Sequence, residues 1–268
     1  MSSLVARSGL EIELNVQTGE LQFGERVGAE GTGRRTIGEL IDVLAYPESA
    51  IGREDETAYF LYRGVTRAGD EAIFAKRGLR YDITVVLPGD VGSEFTKTAG
   101  HIHSKAGDGV GYPEIYDVLA GTGAFVIQWD DPLRLVIVMV EPGDRVLLPP
   151  GASHLTVNSG PTPLVVADLV ATACENNYGI LRKHRGAAIY LLDDPEPDGL
   201  VRQLINPLYR QTPMWQTIEG SRMGDFPPLD GSLYQSFVAK PDEVGYLTAP
   251  APVNTDIQLL WSERRPER

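Results

Sequence analysis

The sequence predicts an all-β fold, either a closed barrel or two packed sheets. Between residues 58 and 170, short segments rich in Val, Ile, Leu, Phe and Tyr recur at near-regular spacing. Turn clusters separate them, among them Pro88-Gly89-Asp90, Gly121-Thr122-Gly123, Pro142-Gly143-Asp144 and Asn158-Ser159-Gly160-Pro161. Leu133 to Val140 is a long run rich in β-branched residues. Branched and aromatic side chains fit a pleated surface, and Gly/Pro turns at this spacing favour hairpins over helices.

Taken in order, residues 1–10 read as a loose start, and Glu11 to Phe23 reads as a hairpin turning at Gln17-Thr18-Gly19-Glu20. Residues 28–35 are Gly- and Arg-rich and read as loop. Thr36-Ile37-Gly38-Glu39 has the spacing of a capping box, which predicts one short helix ending before Pro47. Strands follow at Tyr59–Arg63, Ala72–Ala75, Tyr81–Leu87, Phe95–His103, Ile115–Ala120, Ala124–Gln128, Leu133–Val140, Arg145–Leu148, Leu155–Val157 and Leu164–Val170. The acidic, Pro-rich stretch from Asp193 to Gly199 reads as a connector. It divides a barrel with its N-terminal hairpin and helix, residues 1–190, from a C-terminal extension, residues 191–268. The extension carries Trp215 and Trp261, so it is too apolar for a disordered tail and is expected to pack on the barrel or on a partner subunit.

Composition narrows the function. A formal net charge of −13 disfavours nucleic acid and anionic membrane as partners. No apolar run reaches the length of a membrane span, and the first residues lack the apolar centre of a signal peptide. Cys174 is the only cysteine, so no internal disulfide can form; the expected setting is the cytoplasm, and the thiol is expected to be buried and inert.

Three of the four histidines fall in one pattern: His101 and His103 two apart, Glu114 after a Gly-rich loop, and His154 forty residues on. On a strand His101 and His103 share a face. A next strand is expected to bring Glu114 alongside and later strands to bring His154 across the barrel. Three imidazoles and a carboxylate suit a divalent ion and leave an octahedral ion two open positions. The fourth histidine, His184, lies between Lys183 and Arg185 and reads as a solvated turn.

Gly100-His101-x-His103 with Glu114 and Gly121-x-Gly123 resembles the first cupin motif, and Pro142-Gly143-Asp144, Pro149-Pro150-Gly151, His154 and Asn158 resemble the second. The predicted architecture is therefore a cupin double-sheet β-barrel, or jelly roll, with a short N-terminal helix and a C-terminal extension. Thr98-Ala99-Gly100-His101-Ile102-His103, Glu114-Ile115-Tyr116, His154-Leu155-Thr156-Val157-Asn158 with Gly160 and Pro163, Asn15 to Gly19, and Asn177-Tyr178-Gly179 further resemble the cupin-type phosphoglucose isomerases known mainly from archaea.

That resemblance implies interconversion of glucose 6-phosphate and fructose 6-phosphate, as a step of glycolysis and gluconeogenesis. It implies a metal held by His101, His103, Glu114 and His154, with Fe²⁺ the first choice and Mn²⁺, Ni²⁺ or Zn²⁺ compatible with the same ligands. Glu114 is then the candidate base and Tyr116, two residues along the same face, a substrate-orienting group. Thr84, Thr98, the Gly100 backbone N–H and Tyr178 match positions that hold the phosphate, which hydroxyl and peptide groups can do without basic residues. A tyrosine the family places near the sugar phosphate falls at Val170. Asp82 and Asp168 read as polar barrel residues. A homodimer is expected, since cupins pair through sheet edges. Two other readings of the motifs stay open: another metal-dependent cupin enzyme, such as a dioxygenase or an epimerase, and a non-catalytic sugar-binding cupin.

Overall fold

A computed structural model of the chain describes residues 1–130, 133–193, 201–222, 229–262 and 264. Two six-stranded sheets form the barrel. The first runs, edge to edge, Asn176–Asn177, His101–His103, Ser153–Val157, Gly123–Asp130, Leu133–Val140 and Met214–Glu219. The second runs Arg145–Leu148, Glu114–Ala120, Leu164–Ala171, Leu79–Val86, Thr57–Arg63 and Gly31–Thr36. This is the double-sheet β-barrel that the motif resemblance implies.

The strand period decides what each sheet faces. Along Gly123–Asp130, Phe125 and Ile127 point into the core between the sheets, while Ala124 and Val126 join a second apolar cluster outside the barrel. Leu133–Val140 divides likewise, with Val136, Val138 and Val140 inside and Leu133, Leu135 and Ile137 outside. Ile189, Leu191 and Leu181 cover that outer face. A sheet buried on both sides needs apolar residues at every position, which is why these strands read as continuous apolar runs.

The other sheet is covered by helices. Tyr81 points outward from Leu79–Val86 and meets Tyr234, on the helix Leu233–Ala239, with ring centroids 5.3 Å apart. Phe74 packs on Phe237 at 4.7 Å. Phe74 lies in the segment expected to be a strand, Ala72–Ala75, which is instead part of the α-helix Glu71–Arg77. Glu71 sits in its first turn and Lys76 and Arg77 in its last, matching the helix dipole. Gly78, left-handed at φ 62°, ends it by donating to the carbonyls of Phe74 and Ala75. Four apolar residues are too short a sample to separate the two periods.

Other expectations change in detail. Residues 31–36, read as part of a loop, form an exposed edge strand paired with Thr57–Arg63. The capping box forms, with Glu39 accepting from the Thr36 N–H at 2.9 Å, but the helix it opens, Gly38–Val43, is 3₁₀. The loose start contains one α-helical turn, Val5–Ser8. The strand expected over Phe95–His103 is two pieces, Glu94–Phe95 and His101–His103.

Past residue 200, Met214–Glu219 adds a parallel strand beside Leu133–Val140. Trp261, in the helix Asn254–Ser262, is wholly buried and donates to the Leu147 carbonyl at 3.1 Å. Most of the expected connector, residues 194–199, lies outside the described residues.

Candidate metal centre and active site

Four side chains meet between the two sheets. His101 and His154 are direct cross-strand partners in the first sheet, and their ring centroids are 4.4 Å apart. His103 lies two residues along, its Nε2 3.1 Å from that of His101. Glu114 comes from the opposite sheet, and its Oε2 lies 3.4 Å from Nε2 of both His103 and His154. The ligand atoms of all four lie within 4.8 Å of one another. The expected set therefore converges, but by the reverse route: His154 is the neighbour of His101, and Glu114 crosses the barrel. The loop after His103 crosses from one sheet to the other, so the carboxylate arrives face to face with the imidazoles.

Local structure holds the ligands in place. Gly100 has φ 71°, and a Cβ there would lie 2.5 Å from Leu181 Cδ1 and 3.1 Å from the His154 carbonyl oxygen. Only glycine allows this turn, which starts the His101–His103 strand. His103 Nδ1 lies 2.9 Å from the Tyr112 carbonyl. A carbonyl can only accept, so Nδ1 carries the proton and Nε2 turns a lone pair toward Glu114.

Burial, then the neighbouring imidazoles, holds His101 well below the ordinary histidine range; burial also lowers His103, against the opposing charge of Glu114. Both rings are therefore neutral near pH 7. Burial would raise the pKa of Glu114, but His103 and His154 outweigh it and the carboxyl stays ionised. Asp168 takes the opposite course: burial, then the charge of Glu114, pushes it well above the carboxylate range, so it holds a proton. Burial, then Glu114, raises Tyr116.

These observations test whether a cation fits. Glu114 Oε2 and His154 Nε2 are buried without a hydrogen-bond partner. His103 Nε2 turns a lone pair, and Glu114 an anionic oxygen, toward the same point. A divalent cation at their centre satisfies all four, so the donor set fits a metal.

The pocket that opens onto this centre is lined by Glu114, Tyr116, His101 and His154, and also by Thr84, Thr98, Gly100 and Tyr178. His103 lies behind it. Thr98 Oγ1 accepts from the Thr156 N–H at 3.0 Å, and the Tyr178 ring lies 5.6 Å from that of His101. Val170 lies in the wall. Cys174 is buried, and burial pushes its thiol up to about 12.

The sequence reading passed over Arg35, Arg63 and Arg80 and took Asp168 for a polar barrel residue; all four line the same pocket. The second sheet sets them in rows. Tyr116 pairs with Asp168 and Asp168 with Asp82. Asp82 Oδ2 accepts from Arg63 at 2.5 Å and from Arg80 at 2.7 Å. The signal was present in Arg80-x-Asp82-x-Thr84, three polar residues at strand period on an otherwise apolar strand. A buried charge on an inner face needs a partner, and the partner lay on another strand.

A family model described as glucose-6-phosphate isomerase matches residues 34–210. A glucose-6-phosphate isomerase from Thermococcus gammatolerans is 31% identical over 198 residues, covering 73% of this chain and 94% of that protein. The chain belongs to the glucose-6-phosphate isomerase family. A second member, from Pyrococcus furiosus, is 28% identical over 75% of this chain and 96% of its own length. Among solved structures, pumpkin seed globulin aligns with a TM-score of 0.35 at 14% identity, over 68% of this chain and 36% of that one. The family match ends at residue 210, so Met214–Glu219 and the helices after it lie beyond it.

Proposed function

We propose that the chain is a metal-dependent aldose–ketose isomerase that interconverts glucose 6-phosphate and fructose 6-phosphate. The observation that carries this reading is the meeting of three imidazoles and a carboxylate at one point of a pocket, in a chain of this family. His101, His103, Glu114 and His154 would hold the ion; Fe²⁺ is first by resemblance, and Mn²⁺, Ni²⁺ or Zn²⁺ suits the same donors. When bound, a divalent ion supplies Lewis-acid polarisation of substrate oxygens and stabilises developing negative charge.

The chain's own residues account for the rest. Isomerisation moves a proton between C1 and C2 through a cis-enediol. Glu114, ionised at the pocket, takes the proton from one carbon and returns it to the next. Tyr116, which lines the pocket two residues along the same strand, orients the substrate, and Asp168, protonated, lies in the same pocket as Glu114. Thr84, Thr98, the Gly100 N–H and Tyr178 hold the phosphate end. A hydride shift between C2 and C1 is the alternative route, and it leaves Glu114 without a proton to carry.

The homodimer and the cytoplasmic setting belong to this proposal and rest on the resemblance. Among the described residues no helix is long and apolar enough to cross a membrane. The test is a coupled fructose 6-phosphate assay on purified protein before and after chelation, with metal analysis of both. Chelation should abolish turnover, and readdition of one divalent ion should restore it. In D₂O, label should enter C1 or C2 of recovered sugar. Undiminished turnover in metal-free protein would overturn the proposal.

A further inference from the structure

Three arginines line the pocket, and two are committed. Arg63 and Arg80 both donate to the buried Asp82 carboxylate. Arg35 is held differently. It meets Glu39 at 3.4 Å, and both side chains are about half exposed, at 45% and 48%. An ion pair this exposed and this long is weakly held and readily exchanged. Glu39 itself is fixed by accepting from the Thr36 N–H.

The strand aims Arg35 at the site. Arg35 is the cross-strand partner of Tyr59, and direct partners point to the same face. Tyr59 is buried in the pocket wall, hydrogen-bonded to the Ala99 backbone in the segment that carries Thr98 and Gly100. The neighbouring Arg34 points the other way, toward the Thr57 hydroxyl at 3.3 Å, and lines a separate groove. The register shift between Arg35 and Thr36 is a bulge, which turns the end of this edge strand.

We propose that Arg35 is the specificity-determining cation for the substrate's phosphate, and that Glu39 is the counter-ion it leaves on binding. The inference rests on the isomerase reading and supplies what that reading lacks, since Thr84, Thr98 and Gly100 offer hydrogen bonds but no charge. A guanidinium fork meets a phosphate dianion with two parallel charge-assisted bonds, which the longer contact to Glu39 does not match. In a chain of net charge −13, a cation at the mouth also offsets the background that repels an anionic sugar.

Fructose 6-phosphate kinetics and calorimetric titration with inorganic phosphate test this on the metal-loaded protein. Arg35→Ala should raise KM by about ten- to a hundredfold with kcat within about threefold, the loss of a charge-assisted contact made equally before and during the chemistry. It should weaken inorganic phosphate by a similar factor. Arg35→Lys should recover part of both, and Arg34→Ala should change neither. Unchanged KM and phosphate affinity in Arg35→Ala, or a fall in kcat alone, overturns the assignment. Absence of isomerisation in the unaltered protein would defeat the isomerase reading instead; the phosphate titration would still decide the role of Arg35.

Discussion

Removing the metal should cost the fold a measurable part of its stability, on a scale the structure sets. Glu114 Oε2 and His154 Nε2 are buried without hydrogen-bond partners from the protein. Each such atom costs about 1–3 kcal/mol, so a cation that satisfies both relieves roughly 2–6 kcal/mol. Mass action gives a consistent figure, about 2.7 kcal/mol at a free ion concentration of one hundred times Kd. For a chain near this size, about 2–4 °C accompanies each kcal/mol, so melting should rise by roughly 5–11 °C on loading. The assay is differential scanning fluorimetry of chelated protein, titrated with Mn²⁺, Ni²⁺ or Zn²⁺ and with Fe²⁺ under anaerobic conditions. Glu114→Gln keeps the side-chain volume but removes the charge, and it should lose most of the shift. If chelated and loaded proteins melt together while metal analysis shows that the chelated sample is empty, the four side chains do not form a metal site.

Two further outcomes follow from burial. In chelated protein, stability should fall as pH drops below the unfolded histidine pKa of about 6.5. His101 and His103 are depressed in the fold by burial, so the unfolded chain binds more protons and stability rises with pH. Urea midpoints at pH 5.5 and 7.5 in EDTA measure this; a higher midpoint at pH 5.5 would contradict neutral imidazoles. Trp261→Ala removes a wholly buried indole that packs 5.7 Å from Trp129 and donates to Leu147. It should cost about 3–5 kcal/mol in urea unfolding. A loss under about 1 kcal/mol, the scale of surface changes, would mean that the last helix does not dock as described.

What the sequence determined by itself was everything that depends on local period and punctuation. Leu133–Val140 and Arg145–Leu148 have the bounds read from their branched residues and flanking turns. The two-residue spacing of His101 and His103 put both on one face, and the resemblance named all four members of the cluster. The readings that failed were short or depended on a distant partner. Glu71–Arg77 became a helix because a Gly78 cap and the contact of Phe74 with Phe237 outweigh four ambiguous apolar residues. Gly31–Thr36 became a strand because Thr57–Arg63 offered it a ladder, although its own residues are mostly polar.

Only the tertiary structure decided which sheet each ligand comes from, since sheet assignment depends on crossings tens of residues long. It also decided that Arg63 and Arg80 share Asp82, that Asp168 keeps its proton beside Glu114, and that Arg35 rather than Arg34 faces the pocket. Charge is written in the sequence, but its state is set by burial and by neighbours that folding brings within a few ångströms.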